Sequence, residues 1–217
     1  MIIKFQIMQT IKTNAIGLHE IHITVNPTQI FTLRWFCKQH KMKPILASTA
    51  YGNHPNQLMI SKYKNGSSKE AIEKAYSIAK DMEVAGLEIL RVKVEAMVHN
   101  KGCPTGDVIP KNPEEYFEFH IKILVDSWDE YQQLSHVATR YSAHLSFNAF
   151  KRELEPLVTL RVFNCSYIEA MNKKAELIEA IQGVGFTTNF EIHQEFSVYD
   201  SNQKLDKGWL PIYDESK

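Results

Sequence analysis

Residues 18–25, LHEIHITV, and residues 117–125, FEFHIKILV, are two versions of one strand. Glu20 and His22 of the first align with Glu118 and His120 of the second. In both, apolar and polar residues alternate, the pattern of a strand with one face against a core. Working outward, each half of the chain reads in the same order: strand, helix, two strands, helix, strand. Asn26-Pro27-Thr28-Gln29 supplies an N-cap and a proline at the first helical position. Ser67-x-x-Glu70, Ser127-x-x-Glu130 and Ser166-x-x-Glu169 are capping boxes, each followed by apolar residues at helical spacing. Gly86 and the Gly183/Gly185 pair stand where helix C-terminal caps belong.

A βαββαβ unit is the ferredoxin-like plan. The expected fold is therefore α+β: a tandem duplication of that unit, with antiparallel sheets carrying helices on one face. Residues 1–100 would form the first repeat and 114–200 the second. Residues 101–113, with Gly102, Pro104, Gly106, Pro110 and Pro113, would link them. Residues 201–217 read as a polar tail packing back on the fold, anchored by Trp209. Turns are expected near 52–56 and 151–156. Trp35, Phe36, Trp128 and Tyr131 fall on helices and read as core or helix–helix contacts.

Across 217 residues, 25 Lys and Arg balance 25 Asp and Glu. That balance argues against nucleic-acid and anionic-membrane partners, which need excess positive charge. Three cysteines without a C-x-x-C pair make neither a disulfide framework nor a thiolate zinc site, and fit a reducing compartment. Cys103, between Gly102 and Pro104, is more simply an exposed loop residue than a reactive thiol. The opening MIIKFQIMQTIK does not read as a signal peptide, and no apolar run is long enough to span a bilayer. A cytoplasmic location is the expectation.

The open sheet face should carry the function. Strand parity places Glu20, His22 and Thr24 there, with Glu118, His120 and Lys122 on the matching strand. The closing strands add Arg91, Lys93 and Glu95, then Glu191, His193 and Glu195. Internal strands add Met59, Ser61 and Tyr63, then Thr159, Arg161 and Phe163, with His144, Ser146 and Asn148. His120 is expected between His193 and Arg161, and His22 beside Lys93. His22 and His120 are the candidate proton-transfer groups, with Glu20 and Glu118 as their orienters. Lys93, Lys122, Arg161, His193 and Glu191 are the candidate ligand contacts. Lys93, Lys122 and Arg161 would repel a cation, and no local metal-ligand spacing is present, so no metal ligands are assigned. The sequence specifies no cofactor.

Two motif comparisons end in departures. His22-x-Thr24 and His144-x-Ser146 look like the paired motifs of the 2H phosphoesterases, but they stand on different strands of their halves. The triphosphate-tunnel (CYTH) superfamily is similar in architecture. Its Glu-x-Glu-x-Lys strand is replaced here by Glu20-x-His22-x-Thr24 and Glu118-x-His120-x-Lys122. The residues themselves point to a small anionic ligand, bearing phosphate or carboxylate, bound in a polar cleft between the repeats, with turnover left open. A non-catalytic protein-interaction module and a phosphohydrolase-like enzyme, metal-dependent or not, stand as alternatives. A homo-oligomer is compatible with the sequence.

Overall fold

The structure is a computed structural model and describes residues 13–50, 52–151, 155–186 and 191–209. Its strands are β1 (Ile16–Val25), β2 (Lys43–Thr49), β3 (Asn56–Ser67), β4 (Ile89–Met97), β5 (Tyr116–Lys122), β6 (Ala143–Asn148), β7 (Leu157–Phe163) and β8 (Glu191–Asp200). Among the described residues four α-helices accompany them: α1 (Ile30–His40), α2 (Ser68–Val84), α3 (Trp128–Arg140) and α4 (Tyr167–Gly183). Capping decides where the helices start. Asn26 caps a 3-10 turn, Pro27–Gln29, that runs into α1. Ser67 with Glu70 and Ser166 with Glu169 form reciprocal capping boxes on α2 and α4. Ser127 accepts from the Glu130 amide on α3, but the Glu130 carboxylate reaches the Asp126 amide instead.

The expected pair of open, ferredoxin-like sheets does not form. All eight strands join in one closed antiparallel barrel, in the order β1-β3-β2-β6-β7-β5-β8-β4, with β4 returning to β1. Two seams close it. β2 pairs with β6 through Ala47 and Asn148, Ser48 and Phe147, and Thr49 and Ser146. β4 pairs with β8 from Lys93 opposite Asp200 to Met97 opposite Glu195, across a bulge at Val94/Glu95. The physical reason is edge chemistry. Separate sandwiches would leave these four strands with a row of unpaired backbone N–H and C=O groups, and closure removes every edge. It also turns the charged faces inward, so the expected α+β sandwich, with a cleft between two repeats, is replaced by a barrel with a polar lumen.

The helices pack outside. Ile21, Ile23 and Val25 of β1, Phe117, Phe119 and Ile121 of β5, and Phe196 of β8 point outward into a core with Ile72, Ala75, Leu134 and Leu177. Burying each such large side chain contributes about 1.5–3 kcal/mol. Trp35 and Trp128 do not join that core: they are 59% and 61% exposed, and Trp128 stacks on Tyr131 at 4.9 Å. Part of the expected 151–156 turn lies outside the described residues. Among the described residues no helix is long and apolar enough to cross a membrane.

Beyond β8 the chain crosses one end of the barrel through a second 3-10 turn, Gln203–Asp206, and reaches Trp209. The Trp209 indole N–H donates to the His54 carbonyl at 3.0 Å, and its ring lies against Gly52. Gly52 has φ +101°, and a Cβ there would stand 2.2 Å from the Trp209 ring, so only glycine admits the ring.

Candidate functional site

Alternation on a closed barrel sends every second side chain into the lumen. β1 sends Glu20, His22 and Thr24, and β4 sends Arg91, Lys93 and Glu95. β5 sends Glu118 and His120, β7 sends Thr159 and Arg161, and β6 sends His144 and Ser146. Together with His193 they enclose a cavity of about 270 Å³.

Two imidazoles hold corresponding positions in it. Glu20 stands directly opposite Glu95 across β1 and β4, and Glu118 directly opposite Glu195 across β5 and β8. Facing carboxylates repel unless something stands between them. His22 does so in the first pair, its Nε2 3.6 Å from Glu20 and 3.4 Å from Glu95. His120 does so in the second, its Nε2 3.2 Å from Glu118 and 3.4 Å from Glu195. The His120 ring is also tied through Nδ1 to Thr159 Oγ1 at 2.9 Å. Both imidazoles keep access to solvent, at 17% and 18% of their side-chain surface.

The buried cations are already committed, while Lys43, exposed, also lines the cavity. Lys93 Nζ lies 2.6 Å from Glu118 and 2.7 Å from Glu95. Arg161 donates from Nε to Glu118 at 2.9 Å and from Nη1 to Asp206. Arg91 donates to Asp206 at 2.8 Å and to both oxygens of Asp200, which also accepts the Tyr116 hydroxyl at 3.0 Å. Burial alone would raise the Glu118 carboxyl, yet the Arg161 and Lys93 charges beside it hold it well below the usual range. Asp206 is likewise held down against its burial by Arg161 and Arg91, and Asp200 by Arg91.

Glu95 and Glu195 differ from these. Both are fully buried, and none of their four carboxylate oxygens makes a hydrogen bond. The Lys93 ammonium is close enough to Glu95 to attract it, but it is not aligned as a hydrogen-bond donor. Burial, then the charges of Glu95 and Glu20, push the Glu195 carboxyl well above its ordinary range. The interior therefore sets six carboxyl groups (Glu20, Glu95, Glu118, Glu195, Asp200 and Asp206) against three buried cations, Arg91, Lys93 and Arg161.

Several expected placements change. Opposite His120 on β7 stands Thr159, while Arg161 stands opposite Glu118; His193 does face His120 on β8, and Lys93 faces His22 on β4. Lys122 is not among the cavity side chains: one third exposed, it pairs with Glu155 at 3.2 Å. The Glu191 backbone pairs with Lys122, and its side chain lies outside the described residues. Cys103 is buried rather than exposed; its thiol donates to the Met97 carbonyl, and burial pushes it up to about 12, which suits a packed thiol and not a nucleophile. Sequence reasoning placed Arg91, Glu95 and Glu195 on this face without assigning them to the site. Nothing in the sequence pointed to Asp200 or Asp206.

No protein-family model matches the chain, and no curated protein matches it. Among solved structures, the small subunit of acetolactate synthase from Thermotoga maritima is similar at 16% identity, over 85% of this chain and 96% of that one, with a TM-score of 0.28. A likeness at that score carries no argument.

Proposed function

We propose that the barrel cavity binds a small polar molecule and transforms it by proton transfer, with His22 and His120 as the groups that give and take the proton. The observation that carries this is the repeated bracket: an imidazole Nε2 between two carboxylates, with solvent access, in an otherwise buried lumen. Carboxylates that orient an imidazole fix which nitrogen carries the proton, as acid–base catalysis requires. A cavity of about 270 Å³ lies just below the roughly 300–1,000 Å³ of drug-sized sites, so the ligand is small.

The expected anion contacts need revision. Lys93 and Arg161 are tied to Glu118, and the lumen has an excess of carboxylates. A phosphate or carboxylate group on the ligand therefore needs a counter-charge other than these two side chains. The interaction-module alternative fares less well, because the charged face it would use is enclosed by strands. Three unpaired cysteines, all buried, suit a cytoplasmic protein.

The test is a thermal-shift screen of phosphorylated and carboxylated metabolites against the wild type and a His22→Asn/His120→Asn variant. A ligand of this site raises the melting temperature of the wild type and not of the variant. Hits that stabilise both proteins equally, or no hit at all, would overturn the reading.

A further inference from the structure

We propose that Glu95, His120 and Glu195 bind a first-row divalent transition-metal ion inside the barrel. One donor atom from each of the three lies within 4.8 Å of the others, the spacing of groups that converge on a single ion. The three come from different strands, β4, β5 and β8, so closing the β4–β8 seam assembles the set.

Carboxylate proximity alone would not make a site. Three further observations point to a missing positive charge. Glu195, with its side chain 1% exposed, has no hydrogen bond to either oxygen, a costly state for a buried polar group. Ser197, next inward on β8 and opposite Glu95, has a fully buried hydroxyl that is also without a partner. The carboxyl groups of the lumen outnumber its buried cations, and among the described residues Glu195 has only the His120 ring, with no Lys or Arg among its ion-pair partners. An ion of charge +2 would satisfy all of these at once.

The His120 ring is prepared for the role. A metal-bound imidazole needs a lone pair on one nitrogen and usually donates from the other. Thr159 Oγ1 stands 2.9 Å from Nδ1, so a proton there leaves Nε2 as the ligand atom, and Nε2 is the atom facing Glu195. Lys93 does not block the ion: it lies beside Glu95 Oε1 and is shared with Glu118, whereas Glu95 Oε2 faces the His22 ring. One imidazole with two carboxylates suits Zn²⁺, Mn²⁺ or Co²⁺ better than Mg²⁺ or Ca²⁺, which prefer all-oxygen sets. Such an ion would supply a counter-charge for an anionic ligand group, and with it bound His120 is a ligand, so proton transfer falls to His22. That step rests on the proposed function, whereas metal binding itself does not.

The experiment is calorimetric titration of EDTA-stripped, dialysed protein with Zn²⁺, Mn²⁺ and Co²⁺, using Mg²⁺ and Ca²⁺ as comparison ions. The visible spectrum of the Co²⁺ form reports nitrogen and oxygen ligation. One ion per chain is expected, with transition metals preferred. Glu195→Gln should weaken binding by at least about 100-fold, and Thr159→Val, which frees the His120 ring, by about 10–100-fold. Lys122→Gln, outside the cavity, should leave it unchanged. Glu195→Gln keeps the shape of the side chain and adds no charge, so the metal-free variant should unfold no earlier than wild type, which separates lost binding from lost folding. Absence of saturable binding, or binding that Glu195→Gln leaves intact, overturns the site. Metabolite stabilisation that persists in EDTA would keep the proposed function while removing the metal. Metal binding without any metabolite effect would do the reverse.

Discussion

At the scale of single residues, His144 shows how the lumen constrains protonation. It is buried beside the Arg161 guanidinium, the Asp206 carboxylate and the Trp209 ring, whose centroid lies 5.3 Å away. Burial first, then the Arg161 charge, push its pKa down from 6.5 to about 3. The folded protein therefore keeps His144 neutral while the unfolded chain takes up a proton below 6.5. The stability this residue contributes is fully present above pH 6.5 and falls as pH drops towards 3, by at most about 1.4 kcal/mol per pH unit. Urea midpoints measured between pH 7 and 5 should fall more steeply for wild type than for His144→Gln. Some slope will remain in the variant, because burial also lowers His19. Parallel curves would show that His144 takes up its proton equally in the folded and unfolded states, and burial would then not hold it neutral. Residue placement on β1 and β5 was legible because a two-residue period leaves no choice once Ile21, Ile23, Phe119 and Ile121 are assigned to the core. The pairing of Arg161 with Glu118 rather than His120 was not legible. Parity identifies the face a residue is on, but the stagger between strands is set by closure of the whole barrel.

At the scale of elements, the segment after β8 acts as a strap across the barrel end. Asp206 is its fastening: it accepts from Arg91 at 2.8 Å, from Gln57 at 2.6 Å and from Arg161. Replacing it by alanine leaves two buried guanidiniums without that carboxylate, a change that typically costs about 3–5 kcal/mol. Asp206→Ala should lower the melting temperature by roughly 6–20 °C at about 2–4 °C per kcal/mol for a chain of this size. It should also make residues 201–209 cleavable by limited proteolysis under conditions where wild type resists. A melting temperature within about 1 °C of wild type, with no new cleavage, would mean that the strap does not hold the barrel. A polar tail anchored by a tryptophan could be read from Trp209 and its neighbours. Asp206 could not, because its partners lie on β3, β4 and β7 and no local pattern marks a residue whose contacts are all distant in sequence.

At the scale of the whole molecule, the charged sheet faces expected to lie open are covered by the barrel itself. The helix caps and strand order are local and were readable. Closure is not local: it depends on β2 meeting β6 and β4 meeting β8, strands about 100 residues apart. Closure also makes the halves depend on one another electrostatically. Lys93 of β4 is held by Glu118 of β5, and Arg91 of β4 by Asp200 and Asp206 near the chain's end. Separated, either half would expose two strand edges and several unpaired charges of the lumen, and an exposed edge template favours aggregation. The chain should therefore unfold in one cooperative transition, with far-UV and near-UV circular dichroism changing together. Residues 1–100 or 101–217 expressed alone should be aggregated or lack dispersed amide resonances, and co-expression should restore a soluble one-to-one complex. A monomeric, well-dispersed spectrum from either half alone would show that each sheet is stable without the other, and that the ion pairs across the seam are a consequence of folding rather than a condition for it.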